Sequence, residues 1–239
     1  AIKDDSLPGN FSDMPEKITK GHIRSDISKL LNKYRELEKH GVVFSDGDLR
    51  KLSATIYNDL QARVSQDPIA LSDSFIYHIS RSFKVIFSHR VASLLYQLTY
   101  DSVTKNKLCK YYAYLIAEDA ATRTMIEIHP AAIIGERFVI DHGINTVIGA
   151  TTIIGDDCTL LNNVLLGARR ITNNEKCKRH PTLGNRVCIA GGARILGAIT
   201  IGDDTRIGPD CLIVNDVPDN VIVKRLNTQQ IVRTVKSSI

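Results

Sequence analysis

Along the first 124 residues, apolar side chains return every three or four positions. Ile23, Ile27, Leu30, Leu31, Tyr34 and Leu37 form one such series, the spacing of a helical face turned toward a core. Gly41 stands where that helix should stop. A second series, Leu49, Leu52, Ile56, Leu60 and Val64, follows Ser45 and Asp46, which can cap its start. Two further helical stretches are predicted over 69–98 and 106–124, and residues 1–20, with Pro8, Gly9 and Pro15, read as a loose lead-in.

After Met125 the period changes to six. Ile128, Ile134 and Ile140 stand six apart, and after a two-residue insertion the series resumes at Ile148, Ile154, Leu160 and Leu166. A longer gap precedes Leu183, Ile189, Ile195, Ile201, Ile207 and Ile213. Seven of these thirteen aliphatics are followed directly by Gly, and four residues on comes a small or β-branched side chain in most cases, from Ala132, Thr152 and Cys158 to Thr205, Cys211 and Val217. No helix and no two-residue alternation has this period; a fixed short repeat marks a solenoid whose units stack on their neighbours. The aliphatic fills the interior, the Gly relieves the turn and the small residue closes the corner, which makes Cys158 and Cys211 core. The predicted fold class is α+β, divided along the chain: a helical domain over 21–124, then a parallel β-helix over 125–222, with a tail over 223–239. The gap is an excursion loop over 167–182, and solenoid insertions map to binding faces.

Composition narrows the chemistry. With 239 residues and 43% hydrophobic side chains, the chain can bury an ordinary core, which excludes wholesale disorder. Its five cysteines contain no C-x-x-C pair, arguing against a disulfide framework and for free thiols in a reducing cytoplasm. The start, Ala1-Ile2-Lys3-Asp4-Asp5, is polar, so no secretory leader is expected, and no apolar run is long enough for a membrane span. A net charge of +5 is too mild and dispersed for nucleic acid. A polyanionic small molecule fits better, because the loop carries Arg169, Arg170, Lys176, Lys178 and Arg179 against Glu175. No His/Cys/Asp cluster has ligand spacing, so no metal is expected.

Five segments carry specific chemistry: Asp67-Pro68, Glu127-Ile128-His129-Pro130, Asp141-His142-Gly143, Lys178-Arg179-His180-Pro181 and Ala190-Gly191-Gly192-Ala193. Together with the six-residue period, they resemble the serine O-acetyltransferase family of left-handed β-helix acyltransferases. The resemblance covers roughly 55–222 and implies transfer of acetyl from acetyl-CoA to the hydroxyl of L-serine, in cysteine biosynthesis. It implies His142 as the general base for direct attack, Glu127 as the acid orienting its ring, and His180 as a further polar contact at the reacting centre. Asp67 and Asp141 would face the ammonium and hydroxyl end of the amino acid, and Arg179 its carboxylate. Gly167, Ala168, Lys178, Ala190, Gly191 and Gly192 would line the donor site, the last three letting a pantetheine arm lie against backbone amides.

Plainer readings stand beside these: Asp67 as a helix cap, Arg179 as a solvated loop charge, and the Ala190–Gly192 run as coil packing. His129 reads as structural and His89 as a satisfied helix histidine, whereas His22, His40 and His78 carry no signal. The chain departs from the family after Leu166, with Gly167-Ala168-Arg169-Arg170-Ile171, and again at Val223-Lys224-Arg225-Leu226. Both segments belong to the donor side, so an acyltransferase for another metabolite and a catalytically weak scaffold remain as alternatives. The resemblance also implies a homotrimer or dimer of trimers with sites between neighbouring solenoids, and docking of O-acetylserine sulfhydrylase on the terminal Ile239.

Overall fold

The computed structural model describes residues 15, 17–68, 72–170 and 177–226. Most of the lead-in, Lys176 and Glu175 of the loop, and Ile239 lie outside the described residues. Among the described residues six helices come first: α1 (Lys20–Asn32), α2 (Arg35–Lys39), α3 (Asp46–Gln66), α4 (Asp73–Ile79), α5 (Arg81–Gln97) and α6 (Val103–Thr124). Ser45 caps α3 as expected: its hydroxyl accepts the Asp48 N–H while the Asp48 carboxylate accepts the Ser45 N–H, a reciprocal capping box. Ser102 caps α6, starting it three residues before the apolar period does.

Two helices expected to be continuous are broken. The 23–37 series divides at Tyr34, which leaves helical geometry at φ −106° and ψ 63° and packs its ring 5.0 Å from that of Tyr112. The later stretch divides at Ser80, which is extended and caps α5 by accepting the Phe83 N–H. A hydrophobic period marks which face is buried; it does not report a polar residue that offers its own cap midway. No helix among the described residues is long and apolar enough to cross a membrane.

Among the described residues fourteen strands of two or three residues follow, all paired in parallel on three faces of a left-handed β-helix. The first face stacks Ile128, Ile148, Leu166, Ile195 and Ile213 in register. The second stacks Ile134, Ile154, Leu183 and Ile201, and the third Ile140, Leu160, Ile189, Ile207 and Val223. All thirteen predicted aliphatics are buried, with Cys158 and Cys211 beside them at 0% and 4% exposure. The strand at Ile222–Val223 extends the stack beyond Ile213, where the six-residue spacing lapses around Val217 and Pro218.

At the edge between the second and third faces, the role of the glycines differs from the one expected. Asp156, Asn185, Asp203 and Asp219 each accept, through the side chain, a backbone N–H from the coil below: Glu136, Asp156, Asn185 and Asp203 respectively. A Cβ on Gly155 would lie 2.6 Å from the Asn185 Oδ1, and one on Gly184 2.2 Å from the Asp203 Oδ1. Neither glycine has a positive φ. They are small so that this ladder of carboxylate and amide acceptors can pass, not to relieve a turn.

The helices grip the first coil through a buried pair. Arg90 donates from Nε and Nη2 to the two oxygens of Asp59 at 2.9 and 3.1 Å, and to the carbonyls of Ile134 and Gly135. Asp59 also accepts the Phe138 N–H at 3.0 Å. Each charge is thereby surrounded by partners, the condition for an ion pair at this depth.

Candidate active site

Turns of successive coils stack at the edge where the third face hands over to the first: 141–145, 161–163, 190–192 and 208–210. Asn163 donates its N–H to the Ile144 carbonyl at 2.8 Å, Gly192 to Asn162 at 3.1 Å, and Asp210 to Gly191 at 3.1 Å. The first of these turns holds the two-residue insertion. His142, Gly143 and Asn145 have φ of +59°, +78° and +62°, left-handed backbone that ordinary coil turns such as Asn163 and Asp210 also adopt. A Cβ on Gly143 would come within 2.6 Å of both Ile140 and Ile126 side-chain atoms, so glycine is required there. The bulge throws the His142 imidazole outward; its side chain is 77% exposed.

Two carboxylates meet beside it. Asp141 Oδ2 stands 3.8 Å from His142 Nε2, and Asp141 Oδ1 accepts from Arg63 Nη2 at 3.0 Å. The same Arg63 Nη2 lies 3.0 Å from Asp67 Oδ2. Asp67 ends α3 in extended geometry, as the residue before a proline is pushed to do. The fold thus brings Asp67 and Asp141 together through Arg63, which no sequence motif marks, although its i,i+4 relation to Asp67 is a usable signal. Glu127 opens the first strand on the adjoining face, exposed and paired with Val147. Among the described residues no hydrogen bond joins its carboxylate to the His142 ring.

His180 lies at the other edge of the first face. Its ring covers Gly149, where a Cβ would fall 2.3 Å from Nε2. Nδ1 accepts the Thr151 N–H at 3.1 Å and lies 2.9 Å from Thr151 Oγ1, which accepts the N–H groups of Arg179 and His180 at 3.0 Å each. With Nδ1 occupied as an acceptor, the ring proton sits on Nε2. Burial above all, then the charges of Arg179, His129 and Lys178, draws the His180 pKa down to about 4. Thr151, the organiser of this corner, has no signal in the sequence.

Two histidines complete the corner's surroundings. His129 accepts the Ala131 N–H at Nδ1 and meets the Tyr114 hydroxyl of α6 at 3.0 Å through Nε2, the structural role expected of it. Burial, then Arg179, lowers its pKa. His89 corrects its expectation: it is buried, and its Nδ1 has no partner among the described residues. Burial, then Arg90 and His129, takes its pKa down to about 3.

The chain matches no protein-family model, but individual relatives are clear. It is 38% identical over 178 residues to the serine acetyltransferase of Bacillus pumilus, covering 74% of this chain and 76% of that protein. It is also 38% identical over 159 residues to that of Helicobacter pylori J99, covering 66% and 86%. The chain belongs to the serine acetyltransferase family. The crystal structure of Entamoeba histolytica serine acetyltransferase 1 in complex with L-cysteine superposes with a TM-score of 0.69 at 31% identity, covering 87% of this chain and 79% of that one. Isoform 3 from the same organism, in complex with cysteine, gives 0.70 at 28%, covering 90% and 72%.

Against a serine acetyltransferase reading, two donor-side expectations change. Lys178 Nζ donates to the carbonyls of Thr151 at 2.6 Å and Pro181 at 3.2 Å, clamping the end of the loop onto the solenoid. Two of the three amides expected to line a pantetheine arm are spent inside the wall, Ala190 N–H on the Ile207 carbonyl at 2.9 Å and Gly192 N–H on Asn162. What the Ala190–Gly192 turn offers is clearance along the edge that carries His142. Gly167 is buried, its carbonyl accepting the Gly197 N–H at 2.9 Å, and Ala168 leads from it into the loop at the edge of His180. One copy therefore holds its candidate residues on two separate edges: Asp67, Asp141, His142 and 190–192 on one, and Gly167, Ala168, Lys178, Arg179 and His180 on the other.

Proposed function

We propose that this acyltransferase moves acetyl from acetyl-CoA to the hydroxyl of L-serine, with His142 as general base. The observation that carries the reading is the outward imidazole on a left-handed bulge, beside a carboxylate pair, in a chain of this family. The donor supplies a thioester carbonyl already activated toward attack; the chain supplies position and proton transfer. His142 takes the hydroxyl proton as the serine oxygen attacks, then returns it to the departing sulfur, so one residue serves both halves. Asp67 and Asp141 bind the ammonium, and Glu127 faces the same edge from the neighbouring strand to steady the ring. Arg179 binds the carboxylate through its planar fork. His180, neutral and protonated at Nε2, donates to the same carboxylate and does not compete as a base.

These roles need both edges at one cleft, and a single copy keeps them a full face apart. We infer that the sites form between copies in a homotrimer, the first edge of one copy opposite the second edge of the next. Pairing of trimers through the helices rests on the resemblance alone. Docking of O-acetylserine sulfhydrylase on Ile239 is a separate proposal from that resemblance. Thiol release from acetyl-CoA, measured with L-serine, D-serine and L-homoserine, tests the reaction. Turnover that is fastest with L-serine supports it; turnover with another acceptor alone, or none, overturns it.

A further inference from the structure

We infer that Arg63 is a positioning residue for the acceptor amino acid, fixing the two ammonium-binding carboxylates at one spacing. The inference rests on the reading of Asp67 and Asp141 given above. Asp67 belongs to the end of a helix and Asp141 to a turn of the solenoid, so nothing in either element alone sets the distance between them. Other contacts hold α3 on the solenoid, but one atom joins the two carboxylates directly: Arg63 Nη2 lies 3.0 Å from Asp67 Oδ2 and 3.0 Å from Asp141 Oδ1. The bridge is shielded, with side-chain exposures of 11% for Arg63, 14% for Asp67 and 37% for Asp141, so water screens it less than a surface pair.

The comparison with Arg90 separates positioning from structure. Arg90 spends its guanidinium on both oxygens of Asp59 and on two carbonyls. Arg63 Nε is buried with no hydrogen-bond partner among the described residues. An orphaned buried N–H is unfavourable, and an arginine serving stability alone would be better placed to satisfy it. The geometry instead puts Nη2 where it meets both carboxylates. Arg63 also offsets one of their two charges, and the Asp141 oxygen it leaves unbridged is the one facing His142. The pair can then attract one ammonium without the mutual repulsion that would drive bare carboxylates apart.

The test compares wild type, Arg63→Met and Arg63→Lys in steady-state kinetics with L-serine and acetyl-CoA, alongside their melting temperatures. Removing only this bridge should raise KM for L-serine roughly tenfold or more, with kcat and the acetyl-CoA KM within about threefold. Arg63→Lys, keeping a cation but not the fork, should fall between the two. An unchanged L-serine KM in Arg63→Met overturns the inference, as does an equal loss in every parameter with a lowered melting temperature. If Arg63→Met fails to fold, Arg63→Lys decides by the same split. Wild type that turns over no L-serine sinks the reaction itself, an outcome distinct from a wild type that works and an Arg63 variant that works equally well.

Discussion

The His142 side chain is exposed, yet its backbone is held in a conformation that disfavours most residues other than glycine. Left-handed backbone recurs at ordinary coil turns such as Asn163 and Asp210, so what sets His142 apart is the insertion that turns its imidazole outward beside Asp141. His142→Ala should lose about 10²–10⁴-fold in kcat, with an unchanged melting temperature because the ring is mostly in solvent; full activity would remove it from the mechanism. His142 could be read in the sequence because an insertion breaks a strict period at that point. Arg63 and Thr151 were harder, since their partners lie 78 and 29 positions away in the chain. The fate of Lys178 was not legible at all: its acceptors are main-chain carbonyls, which every residue possesses.

The buried histidines set the response to acid. His180 and His89 are held neutral in the fold, with pKa values drawn down to about 4 and about 3 from 6.5. Below pH 6.5 the unfolded chain therefore binds more protons than the native one, so stability rises with pH across this window and is lost as pH falls toward 4. Calorimetric melting temperatures should be flat above about pH 7 and decline below it. His89→Leu should make that decline shallower than in wild type; an identical slope would show that His89 is not among the groups responsible.

At the scale of elements, the solenoid was more legible than the helices. A six-residue period is imposed by the stacking itself, so each inward aliphatic declares its place, and all thirteen are buried. Helix ends depend on single residues, which is why Ser80, by capping α5, and Tyr34, by leaving helical geometry, interrupt runs that the apolar period alone would join. The side-chain ladder from Asp156 to Asp219 was also hidden, although the glycines beside it were plain in the sequence. Gly184→Ala would place a Cβ 2.2 Å from the Asp203 Oδ1 and should destabilise the protein by about 1–3 kcal/mol, the usual range for overpacking. Chemical denaturation checks this; an unaffected midpoint would mean the ladder yields without loss.

Across the whole molecule, a buried Asp59–Arg90 pair ties helices to solenoid and so holds Asp67 over the turn that carries Asp141 and His142. The same architecture separates His142 from His180 by a face, which is the ground for proposing that assembly is a component of the chemistry. The most direct measurement mixes His142→Ala with His180→Ala after each has been purified and shown to be impaired alone. Denaturing and refolding the two together in equal amounts should recover about a quarter of wild-type activity, because each mixed trimer regains one of its three sites with both edges intact. A mixture no more active than its separate components would contradict sites shared between copies.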